Sequence, residues 1–345
     1  MMSEVAEKPA NSSQTATEAE TLESCEQLDL EEEEICFQDI DMLIDQGVSI
    51  NDIKCLKDIG INTIKGLQMT VRKILRSLKG FDEAKIDKIM EACCKVSVNS
   101  GFVTALEVMD QRKEIFKLQT GSSNLDNLLG GGIESMAITE VFGEFGTGKT
   151  QLSHTLCVTA QIPDSNGYLG AHKHSRPHRL KPIAERFNLD PTSVLENVLY
   201  ARAYTSEHQY QLLGNIGAKL HEEPGIFKLL IVDSVMALFR VDFSGRAELA
   251  ERQQKLGRTM SKLQKLSEEF GVAVLVTNQI TSDLGEAEAA KPVGGNVLAH
   301  SSTTRVALKK GKGNRRVASV YDSPDLEESE ASFAITKGGI DDPEH

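Results

Sequence analysis

The chain has 345 residues, of which 40% are hydrophobic, enough for one sizeable core and a smaller module. Its formal net charge is −13, but residues 1–35 alone contribute −10 and the other 310 residues only −3, so the total does not exclude a nucleic-acid partner. No apolar run is long enough to cross a bilayer, and the first residues lack a basic leader followed by an apolar stretch; we expect no membrane partner and no secretion. The six cysteines have no CxxC spacing, which is typical of reduced structural thiols.

The first two segments differ sharply in composition. Residues 1–22 are rich in Ser, Thr, Ala and Glu, which predicts a disordered acidic tail. In residues 23–96 apolar residues recur at helical spacing, which predicts a small all-helical domain. Within it Gly80 permits a tight turn and Asp82 can cap the next helix, as in a helix-hairpin-helix that docks a DNA phosphate. An ordinary helical turn explains the same residues equally well.

Residues 97–115 form a linker, after which strands and helices alternate through residues 116–345. Strands are predicted at residues 137–142, 227–232 and 272–277, with amphipathic helices between them, so we expect an α/β fold with a mainly parallel sheet. Residues 305–309 and 316–321, joined by KGKGN, predict an antiparallel hairpin at the end.

Residues 143–150 match the phosphate-binding pattern G-x-x-x-x-G-K-[ST], directly after a predicted strand and before a predicted helix. Its backbone N–H groups would surround the phosphates of a nucleotide, Lys149 would reach the β- and γ-oxygens, and the Thr150 hydroxyl would bind Mg²⁺. The sequence therefore predicts ATP and Mg²⁺ as cofactors. The predicted nucleotide-binding residues of this loop are Gly143, Glu144, Phe145, Gly146, Thr147, Gly148, Lys149 and Thr150.

Two later strands deliver polar side chains to the same edge of the sheet. Asp233 follows the apolar run LLIV and can complete the Mg²⁺ site, although an Asp in this position often only caps a helix. Gln279 ends the AVLVT strand and is predicted to act with Lys149 at the γ-phosphate; a solvated strand end is the alternative.

The stretch GAHKHSRPHRL places three histidines, His172, His174 and His178, within seven residues. A metal site would need further ligands, and no carboxylate or cysteine lies nearby. This spacing does not favour a metal.

Together these segments resemble the RecA/RadA recombinases, and within them the eukaryotic strand-exchange proteins, closest to the meiosis-specific member. The resemblance extends from about residue 34 to 341 and is carried by TGSSNLDNLLGGGIES, ITEVFGEFGTGKTQLSHTLCVTAQ, LLIVDSVMALFRVDFSGRAELAERQQKL, VTNQ and GGNVLAHSSTTR. It implies a RecA-type P-loop ATPase core behind a helix-hairpin-helix domain. It further implies a nuclear protein that binds single- and double-stranded DNA, assembles as a homo-oligomeric filament or ring, works with other recombination proteins, and exchanges strands at double-strand breaks.

The resemblance also implies roles for residues outside the phosphate loop. Arg240 and Arg246, expected on a loop after the Asp233 strand, would contact DNA; two solvated arginines are the alternative. Phe102 and Ala105 would insert into a neighbouring subunit. Four further residues would contact ATP, the last three of them across the subunit interface: Arg179, His300, Asp322 and Pro324.

Two features depart from that family. We expect the strand that ends in Asp-Thr-Glu, whose Glu polarises the attacking water, to be missing before Arg176, and therefore ATP binding with reduced hydrolysis. The segment after Gln279 is short, acidic and without aromatic residues, which predicts weaker single-strand binding. Two functions are therefore possible. The first is a DNA-dependent ATPase that exchanges strands. The second is a protein that binds ATP but is deficient in hydrolysis, either a filament or regulatory subunit or a truncated isoform. A hexameric motor with the same core is disfavoured.

Overall fold

The computed structural model describes residues 38–97, 102–162, 168–172, 177–281 and 291–344. The chain divides into two units, residues 1–36 and 37–345, and all the described elements belong to the second. The predicted acidic tail and most of the segment after Gln279 lie outside the described residues, as do the side chains of residues 168–172, Gln111 and Arg246. In the described ranges no helix combines the length and apolarity that crossing a membrane requires.

The first described elements are short helices around their own apolar cluster. They are a 3₁₀ helix (Ile40–Leu43), α1 (Ile50–Asp58), α2 (Ile64–Gln68), α3 (Arg72–Arg76) and α4 (Glu83–Val96). Ser49, Thr63 and Asp82 each accept a hydrogen bond from a backbone N–H in the first turn after them, which fixes where α1, α2 and α4 begin. The inward faces of these helices meet in a core that includes Ile40, Leu56, Leu67 and Ile86.

The chain then passes through α5 (Ala105–Gln111) and a second 3₁₀ helix (Arg112–Glu114) into the larger part of the molecule. The elements in order are β1 (Lys117–Leu118), α6 (Ser123–Leu128), β2 (Ile133–Glu134), β3 (Ile138–Gly143), α7 (Lys149–Thr159), β4 (Tyr168–His172), α8 (Pro177–Arg186), α9 (Pro191–Glu196), β5 (Val198–Ala201), α10 (Ser206–Glu222), β6 (Leu229–Asp233), α11 (Ala237–Asp242), a third 3₁₀ helix (Arg246–Glu248), α12 (Leu249–Phe270), β7 (Ala273–Asn278), β8 (Ile280–Thr281), β9 (Lys291–Pro292), α13 (Gly295–Ser301), β10 (Thr304–Lys310), β11 (Arg315–Asp322), β12 (Glu330–Thr336) and β13 (Gly339–Asp341).

Nine of these strands form one sheet in the order β13-β12-β11-β10-β3-β7-β6-β4-β5. From β10 to β5 every neighbouring pair is parallel, and β10 to β13 are antiparallel. Successive residues of the central strands face opposite sides: Leu229 and Ile231 of β6 join one apolar core, and Leu230 and Val232 join the other. The predicted α/β fold with a mainly parallel sheet and a final hairpin is thus confirmed.

The prediction of a missing strand is wrong. β4 fills the slot between β6 and β5, pairing in parallel with both, and its last residue, His172, is in register with Asp233. The run YLGAH is short and contains a glycine, so it gives a weak strand signal. In the sheet, however, the backbone groups of β6 and β5 need partners on that side, which favours a strand there. Residues 165–184 contain no Asp or Glu, so this strand ends without an acid.

The small helices dock on α12 through polar contacts. Thr63 donates to the Glu269 carboxylate, Lys65 donates to the Glu268 carbonyl, and Lys265 donates to the Met69 carbonyl. Burial raises the pKa of Glu269, which the hydrogen bond from Thr63 and the charges of Lys65 and Lys265 partly offset. These contacts hold the helical part against the core from within the last turns of α12.

Candidate nucleotide and DNA site

The phosphate loop joins the carboxyl end of β3 to the first turn of α7. Gly146 and Gly148 have φ of 78° and 109°, a region that residues with a Cβ avoid. A Cβ on Gly143 would lie 2.3 Å from the Leu308 carbonyl oxygen of β10. The glycines are therefore required by the backbone path and by close packing on β10, and the path leaves the start of α7 open for an anion.

Lys149 lies folded back over its own loop. Its Nζ donates to the carbonyl oxygens of Gly143 and Glu144, at 2.7 Å each. Burial lowers the pKa of Lys149, and the nearby carboxylates of Asp233 and Glu144 partly reverse this. A phosphate in the loop would give this partly desolvated ammonium a charged partner in place of two neutral carbonyls.

Thr150 and Asp233 meet although they are 83 positions apart. The Thr150 hydroxyl donates to Asp233 Oδ2 at 2.8 Å, and the buried Thr277 hydroxyl donates to Asp233 Oδ1 at 2.6 Å. Three elements, α7, β6 and β7, thus fix one carboxylate at the carboxyl edge of the sheet. A hydroxyl beside a carboxylate is the donor set expected for Mg²⁺ in a P-loop site.

Gln279 lies at the same edge, just after β7. Its backbone N–H donates to the side-chain oxygen of Asn278, at 2.7 Å. Its own side-chain oxygen accepts from Arg240 at 2.8 Å. The residue predicted to sense the nucleotide and a residue predicted to contact DNA are therefore directly hydrogen-bonded.

Arg240 lies on α11, not on a loop as expected. Leu238 and Phe239 of this short helix are buried, so packing turns the segment into a helix, and Arg240 remains exposed. The backbone of Arg246 begins the third 3₁₀ helix; its side chain is outside the described residues.

The other residues predicted around the nucleotide have mixed positions. Thr147 is buried and donates to the Glu144 carbonyl, while Phe145 is 95% exposed. The Arg179 guanidinium donates to the Gln151 side chain of α7 and to the carbonyls of Thr336 and Lys337. It is therefore tied to α7 and to the turn between β12 and β13.

The structure does not bring Asp322 or His300 to the phosphate loop, and Pro324 follows Asp322 by two residues. Asp322 of β11 is paired with Arg305 of β10, and Arg305 is in turn paired with Glu140 of β3. Asp322 therefore lies two strands away from β3, level with a residue that precedes Gly143 by three positions, or about 10 Å along the strand. His300 precedes β10 at the amino edge, where it lines a groove of about 530 Å³ with Met69, Lys265 and Thr303. Contact of these residues with ATP across a subunit interface stays a prediction.

Phe102 and the linker after it are highly exposed. Phe102 has no contact that shields it, and Leu106 and Met109 of α5 are 63% and 56% exposed. Ala105 is the first residue of α5, which Thr104 caps together with Glu107. A capped helix that presents apolar side chains to solvent is typical of an interaction segment.

The residues at the carboxyl edge fit Mg²⁺ and ATP. The loop passes too close to β10 to allow a Cβ on Gly143, its lysine is partly desolvated, and a carboxylate and a hydroxyl are already positioned together. Among the described side chains no group of three His, Cys, Asp or Glu could hold a metal, and His178 is exposed on α8. The side chains of His172 and His174 lie outside the described residues, so the absence of a metal at these histidines stays a prediction.

A buried pair of charged residues that was not predicted from the sequence, Glu140 and Arg305, lies on the neighbouring central strands β3 and β10. Their separation of 165 residues follows no local pattern. The available signal was charge: an acid in the apolar run ITEVFG and an arginine in TRVAL each interrupt a predicted strand.

The chain is similar to known recombination proteins over most of its length. The model of the Rad51 family matches residues 111–343. The human meiotic recombination protein DMC1/LIM15 homolog is 60% identical over 324 residues, covering 90% of this chain and 95% of the human one. The meiotic recombination protein DMC1 homologs of Lilium longiflorum and Arabidopsis thaliana are 55% and 52% identical, over 90% and 95% of this chain and 92% and 97% of theirs.

Proposed function

Because this chain belongs to the Rad51 family, we propose that it is a meiotic recombinase that pairs homologous DNA and exchanges strands in double-strand break repair, in the nucleus. The relatives that support this proposal are named as meiotic recombination proteins and match nearly end to end. The alternative of a dedicated non-hydrolysing subunit is not favoured, since those names describe recombination proteins.

We propose that strand exchange depends on ATP and Mg²⁺ held at the carboxyl edge of the sheet. The observation that carries this is the contact of Thr150 with Asp233 beside the glycine loop. Bound Mg²⁺ would draw charge from the β- and γ-phosphate oxygens. The loop N–H groups and Lys149 would orient the phosphates, and Arg179 would close the site from the β12–β13 turn.

ATP turnover is proposed to be slow. β4 reaches the edge beside Asp233 but ends in His172, and no acid lies in residues 165–184. Without a carboxylate to polarise water, the loop and the Thr150–Asp233 pair would still bind the nucleotide, because neither depends on β4 for its ligands.

Single-stranded DNA is proposed to bind near α11 and the third 3₁₀ helix, through Arg240 and Arg246, with copies of the chain joined as a filament through Phe102 and Ala105. The exposed Arg240 guanidinium and the exposed apolar groups of the linker support this. His300, Asp322 and Pro324 would then face the nucleotide of a neighbouring copy.

Lys149→Ala tests the proposal directly. We expect loss of nucleotide-dependent filaments on single-stranded DNA, measured by electron microscopy, and loss of strand exchange between homologous oligonucleotides. Lys181→Ala, which removes an exposed lysine of α8 instead, should leave both unchanged. Filaments with unaltered ATP dependence in Lys149→Ala would refute the assignment of the phosphate loop.

A further inference from the structure

A charged pair is buried in the middle of the sheet. The Glu140 side chain of β3 has no exposed surface and the Arg305 side chain of β10 only 7%. Both carboxylate oxygens are used: one accepts from Arg305 Nε at 2.6 Å, the other from Asn278 Nδ2 at 2.7 Å. A buried ion pair seldom stabilises a fold more than apolar residues of the same size, so stability alone is a weak reason for it.

Towards the carboxyl edge this pair reaches the candidate site. Asn278 is fully buried, and the amide that donates to Glu140 also donates to the Val293 carbonyl at 2.6 Å. The side-chain oxygen of Asn278 accepts from the backbone N–H of Gln279, whose side chain holds Arg240. Glu140 thus fixes, through Asn278, the backbone from which the Gln279 side chain extends.

Towards the amino edge the pair reaches the segment that ends β11. The Arg305 guanidinium carbon lies 5.2 Å from the centroid of the Tyr321 ring and 5.7 Å from that of Phe142. The two rings meet edge to face at 5.1 Å. Arg305 is also in register with Asp322, so its position bears on both residues at the end of β11.

We propose that Glu140 and Arg305 are positioning residues that couple the two edges of the sheet within one chain. A nucleotide that moves Gln279 also shifts Asn278. The Glu140 carboxylate, which accepts from both Asn278 and Arg305, transmits that displacement to Arg305 and to the segment 321–324. The inference rests on the proposed nucleotide binding and adds to it. In an assembly, where that segment would face a neighbour's nucleotide, the pair would make successive nucleotide sites interdependent.

The test is hydrogen–deuterium exchange of the full chain, kept dilute and shown by light scattering to be a monomer, with and without Mg²⁺ and a non-hydrolysable ATP analogue. In the wild type we expect nucleotide to slow exchange severalfold at residues 143–150 and also at 318–326. In Arg305→Lys and in Glu140→Gln the first response should remain and the second should disappear. Arg315→Lys, an exposed arginine on β11, is the matched control and should keep both.

Three results would overturn the inference, and they are distinct. If the wild type slows only at 143–150, the edges are not coupled. If both variants keep the response at 318–326, the pair does not carry the coupling. If both variants lose the response at 143–150 as well, the pair is structural only. No slowing at 143–150 in the wild type would instead refute the proposed nucleotide binding.

Discussion

An acid placed at the end of β4 should restore the ATP turnover that we propose is slow. His172 is in register with Asp233, and neighbouring strands lie about 4.8 Å apart. The backbone of residue 172 therefore stands one strand spacing from that of the residue whose carboxylate binds Thr150. His172→Glu would supply a carboxylate at the edge of the sheet where the γ-phosphate is expected.

The size of the effect can be derived from general-base catalysis. A positioned side chain that takes up a proton contributes about 10²–10⁴-fold to a rate. We expect roughly 100-fold, or about 2.7 kcal/mol in the barrier, because the new side chain has three torsions to fix and no partner selected to hold it. Nucleotide affinity should stay within about threefold, since the loop and Asp233 are unchanged.

The assay is single-stranded-DNA-stimulated phosphate release at saturating ATP, with nucleotide affinity measured separately by fluorescence. His172→Gln matches the length of glutamate without the charge, and His178→Glu adds an acid on α8 instead. Neither control should raise turnover. Equal turnover in the Glu and Gln variants would refute the reasoning, as would a wild type that already matches His172→Glu.

Three further outcomes are expected. Gly143→Ala should lower nucleotide affinity at least tenfold, measured by calorimetry, because its Cβ would lie 2.3 Å from the Leu308 carbonyl oxygen. The control Gly257→Ala, whose Cβ would lie 3.7 Å from the nearest Val297 methyl, should bind nucleotide normally. Equal affinities in the two variants would contradict this reasoning. Arg240→Ala should weaken single-strand binding and flatten its logarithmic salt dependence by about 0.7, the value for one lost phosphate contact; an unchanged slope would remove Arg240 from the DNA site. Burial raises the pKa of Glu269 above the ordinary value of 4.5. The unfolding free energy of the wild type relative to Glu269→Gln should therefore be highest below pH 4.5 and fall as the pH rises through the raised pKa. Denaturant titrations from about pH 4 to 8 that show a constant difference would contradict this.

The fold and the phosphate loop could be predicted because their signals are local. The residues 143–150 are contiguous, and parallel strands bring their carboxyl ends to one edge, so Asp233 could be assigned to the same site as Thr150 from 83 positions away. β4 could not be predicted in the same way. Its five residues owe their strand conformation to the slot between β6 and β5, which is a property of the sheet and not of the segment.

Side-chain partnerships across the sheet also escape sequence reasoning. Glu140 and Arg305 could each be recognised as odd residues in an apolar strand, but not as partners, because register decides which strand positions meet. The hydrogen bond between Arg240 and Gln279 depends on α11, a helix that forms because Leu238 and Phe239 are buried.

The separation of Lys149 from the segment at the end of β11 has a genetic consequence. If each complete catalytic centre takes its loop from one copy and its cap from the next, an allele altered only at Lys149 and an allele altered only at Asp322 each carry one intact half. In a cell with both alleles, about a quarter of the randomly formed junctions would unite the two intact halves. Two alleles that fail alone would then partly complement each other, and a single defective allele would impair junctions on one side only.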